Sequence, residues 1–176
     1  MDIKGQYIVF EGPGFSGKSK VLRMVAEELE GMGVGVVETR EPGGCPKTEA
    51  IIGQIFREKT LGNLTPRREA ELFYAARTIN MTEVVLPAVK RGMVVLKDRD
   101  FMSTFMYQEA SGMRREELMR IHKEMYVDNG FFDPDLRLML QIGEDTLERR
   151  LGRGCEGDPF DDGCLEMVGL YNAEAL

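Results

Sequence analysis

The stretch "GPGFSGKS", Gly12 to Ser19, follows the apolar run "YIVF" and precedes a segment whose apolar residues recur at helical spacing. It fits G-x-x-x-x-G-K-[ST], and strand–turn–helix is the context that this spacing requires. Few folds satisfy it, because a strand must pass into a helix through one glycine-rich turn. Gly12, Gly14 and Gly17 let backbone N–H groups converge on phosphate oxygens, which bulkier residues would obstruct. Pro13, Phe15 and Ser16 complete the loop, and the helix N-terminus adds its partial positive charge. Lys18 is expected to reach the β- and γ-phosphates, and the Ser19 hydroxyl to ligate Mg²⁺. The ligand implied is a nucleoside triphosphate.

The rest of the chain alternates short β-branched runs with long amphipathic stretches, the pattern of βαβ units around a parallel sheet. Val21, Leu22, Val25 and Leu29 define a first helix from Gly17 to about Gly31. "VGVVE" is a second strand, ending at the turn "REPGG", and a shorter helix is expected from Lys47 to Arg57. Thr65 can cap a helix whose first position is Pro66, running past Phe73 and Arg77, with Pro87 as a kink or break. "MVVLKD" and "LRLMLQI" are the third and fourth strands. "EDTLERRL" begins another helix that leads into the irregular "GRGCEGDPFDDG", and a last helix is expected to run to Leu176. No internal repeat or low-complexity linker interrupts the pattern, so residues 1–176 read as one domain.

Composition narrows the class. With 43% hydrophobic residues, 176 positions suffice for a sizeable core. The net charge of −7 argues against general nucleic-acid binding, which needs an excess of Lys and Arg on one face. Cys45, Cys155 and Cys164 are odd in number and lack metal-ligand spacing, which fits a reducing compartment. The N-terminus lacks the pattern of a secretory signal, and no run approaches the roughly 18 apolar residues of a membrane span. A cytoplasmic α/β protein is expected.

Taken in order, the phosphate loop, "REPGG" (Arg40 to Gly44), "LTPRREAELFYAAR" (Leu64 to Arg77), "KDRDFMSTFMYQ" (Lys97 to Gln108) and "PDLRLMLQI" resemble the thymidylate kinase family, in its subclass with R-E-P-G-G after the second strand. The resemblance runs from about Tyr7 to Phe160. It implies a P-loop kinase fold, with strand order 2-3-1-4, helices on both faces and the family's C-terminal edge strand missing. It implies transfer of the γ-phosphoryl group of ATP to dTMP, with Mg²⁺, and commonly a homodimer formed through the long helices. Phe73 would stack on the thymine ring, and Arg77, one turn later on the same face, would hydrogen-bond the base. Arg40 and Arg99 match the acceptor-phosphate arginines, whose fork can donate two parallel hydrogen bonds to a phosphate monoester. Asp98 would hold Mg²⁺ through water. Thr104 falls where the family contacts the base, Tyr107 where it favours deoxyribose, and Gln108 beside them. Arg149, Arg150 and Arg153 lead into a lid at about 149–162, from which one or two of them, Arg153 first and Arg149 second, would close over the triphosphate.

The only histidine, His122 in "MRIHKEM", lies in a charged helical stretch and reads as a surface residue. No catalytic base is needed, since a nucleoside monophosphate is already anionic near neutral pH, its second pKa being about 6. Lys18, Asp98, Arg99 and a lid arginine are the groups expected to align and stabilise the transfer. The chain departs from the family pattern where Gly14 replaces a carboxylate and Asp100 an aromatic, where Pro159 stands in place of a lid arginine, and at its short C-terminal end. Asp100 would bring an extra negative charge close to the phosphates unless it points away or joins the metal shell. Two other functions stay open on the sequence: a kinase for another deoxynucleoside monophosphate such as dUMP, and a nucleotide-binding relative without turnover.

Overall fold

The computed structural model describes residues 5–151. Strands β1 (Gln6–Glu11), β2 (Val36–Arg40), β3 (Val94–Asp98) and β4 (Leu136–Met139) form a parallel sheet in the order β2-β3-β1-β4, as expected. The helices are α1 (Lys18–Gly31), α2 (Pro46–Thr60), α3 (Pro66–Asn80), α4 (Leu86–Lys90), α5 (Phe101–Ala110), α6 (Arg115–Met125) and α7 (Glu144–Leu151). The expectations of a missing fifth strand and a last helix, and most of the lid, lie outside the described residues.

Period-two alternation in the strands assigns the two faces. Phe10, Val94 and Leu96 pack with Leu22 and Ala26 of α1. Tyr7, Val9 and Val95 turn the other way, against Ala70 and Tyr74 of α3, Phe105 of α5, and Leu118 and Ile121 of α6. Helices therefore cover both faces of the sheet, the usual environment of a parallel sheet. Lys97 shares the second face and is fully buried in a central strand. Among the described residues, no helix is long and apolar enough to cross a membrane.

Local signals place the helix ends. The Thr65 hydroxyl accepts from the Arg68 N–H at 3.2 Å, with Pro66 in the first turn. Helix α2 starts one residue before Lys47, with Pro46 in its first turn, and continues past Arg57 to Thr60, because nothing breaks it before Gly62. Pro87 does not end the long helix. A π-helical turn over Met81–Val85 separates α3 from α4 and carries the chain past the proline's missing N–H.

His122 is a correction. It is buried at 8% exposure, its Nδ1 is 3.1 Å from the Tyr74 hydroxyl, and its ring stacks 5.2 Å from that of Tyr126. Leu118, Ile121, His122 and Met125 fall on the apolar face of α6, and the charged neighbours that suggested a surface position occupy the other faces. Burial pushes its pKa down, so the ring is neutral near pH 7.

Adjacent residues on α6 give a test of this packing. Leu118 is fully buried, whereas Met119 is half exposed. Leu118→Ala should lose about 2–5 kcal/mol in denaturant unfolding, and Met119→Ala should stay within about 0.5 kcal/mol of the wild type. Equal losses would mean that α6 presents a different face to the sheet.

Candidate active site

The phosphate loop is shaped by its backbone. Gly12 (φ 143°) and Gly17 (φ 97°) take conformations that glycine adopts most readily, and a side chain at Gly12 would collide with the Leu140 carbonyl. Gly17 caps α1 without any side chain, so the first N–H groups of the helix open toward the loop. Lys18 is buried, and its Nζ donates to the Pro13 carbonyl at 2.8 Å, which draws the ammonium across the loop. The Ser19 hydroxyl donates to Asp98 Oδ2 at 2.6 Å, while Asp98 Oδ1 is buried without a hydrogen-bond partner. A hydroxyl and a carboxylate meeting beside a phosphate cradle fit a hard divalent cation such as Mg²⁺, which takes most of its other ligands from water and phosphate.

Immediately after β3, Arg99 adopts φ 71°, a left-handed conformation unusual outside glycine. Its Nη1 lies 3.3 Å from the Gly12 carbonyl and 3.3 Å from the Ser103 hydroxyl, and its guanidinium carbon is 5.6 Å from the centre of the Tyr107 ring. Glu11 holds this turn in place. One carboxylate oxygen accepts from the backbone N–H groups of Asp100 (2.8 Å) and Ser103 (3.3 Å), and the other from the Ser103 hydroxyl (2.6 Å). A side chain from β1 thus caps the start of α5. Burial pushes the Glu11 pKa up to about 7, although the Ser103 hydrogen bond and the nearby Arg99 oppose the shift.

A cleft of about 320 Å³ opens beside Arg99. Phe73, Arg99, Thr104, Tyr107 and Gln108 line it together, with Glu41, Pro42, Glu69 and Ser103 also in its wall. Arg40 ends β2 with an exposed side chain, next in sequence to the cleft-lining Glu41. Arg77 lies beneath the floor, 1% exposed, rather than standing in the cleft as an open charge. It donates to both oxygens of Glu41 (Nε 3.1 and 2.9 Å, Nη2 2.6 Å) and to Thr104 Oγ1 (2.9 Å), and its Nε is 2.9 Å from Asp100 Oδ1.

Asp100 takes the alternative in which its side chain points away. It does not add negative charge beside the phosphates, because its carboxylate turns inward, 1% exposed, to Arg77, Lys97 and the Tyr7 hydroxyl. Burial pushes its pKa up, but Lys97, Arg77 and that hydroxyl outweigh burial and hold it below the ordinary carboxylate range. Of the lid arginines, Arg149 folds back on its own helix, bonding to the Asp145 carbonyl (3.1 Å) and the Thr146 hydroxyl (3.0 Å). Arg150 reaches the phosphate loop instead, donating to the Phe15 carbonyl. Arg153 lies outside the described residues. The helical period explains the exchange, since adjacent residues on α7 point about 100° apart and only one can face the loop.

Glu11, Glu41 and Lys97 were not singled out in the sequence. Glu11 and Lys97 did carry a signal there, as charged residues inside or closing otherwise apolar strands. Most of their partners are brought from distant segments and leave no pattern to read.

A family model described as thymidylate kinase matches residues 10–165. The chain is 38% identical over 152 residues to a thymidylate kinase of Pelotomaculum thermopropionicum, covering 86% of this chain and 68% of that protein. It is 35% identical over 174 residues to one of Neisseria gonorrhoeae, covering 96% and 82%. Its fold superposes on the crystal structure of a thymidylate kinase from Ehrlichia chaffeensis with a TM-score of 0.70 and 26% identity, over 85% of this chain and 83% of that one.

The Glu11 carboxyl supplies a pH test. Between pH 4.5 and about 7 the folded chain keeps a proton on Glu11 that the unfolded chain has released, so this group's contribution to stability falls as pH rises through that window. Glu11→Gln should remove a decline of roughly 2–4 kcal/mol between pH 4.5 and 7.5, measured by urea unfolding at a series of pH values. Parallel stability profiles for variant and wild type would show that the carboxyl titrates normally.

Proposed function

The chain belongs to the thymidylate kinase family, and on that footing we propose that it transfers the γ-phosphoryl group of ATP to dTMP, giving ADP and dTDP, with Mg²⁺ held at Ser19 and Asp98. The observation that carries this reading is the 3.3 Å contact between Arg99 Nη1 and the Gly12 carbonyl. It joins a candidate acceptor-phosphate arginine to the donor's phosphate loop, so both phosphate groups can be gripped from one point.

In this reading the acceptor lies in the cleft, with its base against Phe73, Thr104 and Gln108, its sugar at Tyr107 and its phosphate at Arg99 and Arg40. The loop N–H groups and the α1 N-terminus receive the triphosphate. Lys18 leaves the Pro13 carbonyl for the β- and γ-phosphates, where its ammonium offsets charge on the transferred group. Mg²⁺, when bound, neutralises phosphate charge and helps orient the triphosphate. Arg150, already against the loop, is better placed than Arg149 to follow the triphosphate as the lid closes. No residue has to remove a proton. The protein brings two anions into line and excludes water, the part that a lid can supply. The inward turn of Asp100 supports turnover, because it removes the charge that would oppose a second phosphate. A cytoplasmic homodimer and the R-E-P-G-G subclass belong to the same reading; in this chain Glu41 of that motif anchors Arg77.

A coupled assay of ADP release tests it, with Mg-ATP and dTMP, dUMP or no acceptor. Acceptor-dependent ADP formation should be greatest with dTMP and should vanish on chelation of the metal with EDTA. Lys18→Ala should lower kcat by about a hundredfold or more. If wild-type ADP release never rises above its no-acceptor rate while ATP binding is measurable by calorimetry, the chain binds nucleotide without kinase activity.

A further inference from the structure

Lys97 and Asp100 have no part in the phosphate chemistry, yet both are buried, at 0% and 1% exposure, Asp100 in the wall of the acceptor cleft and Lys97 beside it. A fully buried lysine in a central strand is rarely retained for stability alone, since apolar residues of the same volume often serve as well. What such a group can do is hold a partner in one orientation. Lys97 Nζ pairs with Glu41 and lies 3.7 Å from Asp100 Oδ1. Asp100 is fixed from behind by the Tyr7 hydroxyl at 3.1 Å. Both carboxylates then converge on Arg77, and its guanidinium also lies over the Tyr74 ring at 4.5 Å.

Two features of the cluster point to recognition. Nε and Nη2 of Arg77 are engaged, while Nη1 is buried with no hydrogen-bond partner. A buried donor of this kind is unfavourable unless an acceptor meets it. Glu41, Asp100 and Thr104, which surround the guanidinium, are themselves cleft-lining residues, so an acceptor can come from a ligand in the cleft. Within the cluster the charges balance, Arg77 and Lys97 against Glu41 and Asp100. The cluster itself therefore adds no net charge to attract a phosphate, despite the arginine in it.

We propose that Lys97 and Asp100 are positioning residues for nucleobase selection: with Glu41 they hold Arg77 so that Nη1 alone is left for a carbonyl oxygen of the acceptor's base, and they cancel the charge that would otherwise draw a phosphate into the base end of the cleft. The inference rests on the kinase reading above and assigns the chain's Asp100 a role in choosing the acceptor.

The test is steady-state kinetics of the full chain with Mg-ATP, comparing dTMP with dCMP, which presents an amino group where dTMP has a carbonyl, and using inorganic phosphate as a competitor. Asp100→Asn leaves one uncompensated positive charge and a loosened Arg77. KM for dTMP should rise by roughly tenfold, with kcat changed by less than about threefold and KM for ATP unmoved. The preference for dTMP over dCMP should shrink, and inorganic phosphate should compete with dTMP more strongly than it does in the wild type. Lys97→Met/Asp100→Leu removes one charge of each sign, so base preference should again fall but phosphate should compete no more strongly than in the wild type. Tyr7→Phe removes only the hydroxyl behind Asp100 and should shift KM for dTMP in the same direction by a smaller factor. Should Asp100→Asn fail to fold, the double variant and Tyr7→Phe decide the matter. Folded variants with wild-type KM for dTMP and wild-type base preference, altered only in Tm, would overturn the positioning role. An inactive wild type would overturn the kinase reading and this inference with it, whereas an active wild type with unmoved variants overturns this inference alone.

Discussion

Parallel pairing of β1 with β3, in the register that sets Phe10 beside Asp98, is the constraint on which the rest of the site depends. Backbone hydrogen bonds carry that pairing past the strand ends. Arg99 N–H donates to the Phe10 carbonyl at 2.9 Å, Glu41 N–H to the Asp98 carbonyl at 2.8 Å, and Leu140 N–H to the Glu11 carbonyl at 2.8 Å. The phosphate loop, the Asp98–Arg99 turn and the Glu41 turn therefore leave the sheet at one level, at the carboxyl ends of adjacent strands, where open α/β sheets bind their ligands. A one-residue slip of β3 would turn Lys97 to the opposite face and carry Asp98 away from Ser19.

The second organising feature is charge placed where water cannot reach. Glu11, Glu41, Arg77, Lys97 and Asp100 are all buried around the start of α5. Desolvation of such groups is compensated only when each finds partners in good geometry. Glu11 finds them in the α5 N–H groups and Ser103, and the other four find them chiefly in one another. The outcome is a stiff floor under a cleft whose opposite wall, with Phe73, Glu69 and Gln108, comes from α3 and α5. Stiffness there suits an enzyme that discriminates between small planar bases, because a polar group left unpaired by the wrong base is penalised more heavily than a lost apolar contact.

Much of this was legible beforehand, for local reasons. Gly12, Gly17, Lys18 and Ser19 are constrained by a single turn, so their spacing already specifies their geometry. Thr65 and Pro66 mark the start of α3 because capping involves only near neighbours. The alternation of strands and amphipathic helices led to the sheet order that is observed. His122 and the lid arginines read differently, and Asp100 stayed open, because their surroundings come from other segments. His122 owes its burial to Tyr74 and Phe101, and Asp100 its inward turn to Tyr7, Lys97 and Arg77.

The sequence by itself determined the phosphate cradle, the parallel α/β architecture and the family, because each is encoded in short-range spacing or in motifs taken in order. Only the tertiary structure decided which charges face the cleft and which support it from behind. It placed Arg77 under the floor, turned Asp100 away from the phosphates and brought Arg150 rather than Arg149 to the loop. The physical reason is that a charged side chain goes where its desolvation is best compensated, and most of the compensating partners of Arg77, Asp100 and Arg150 lie tens of residues away in the chain.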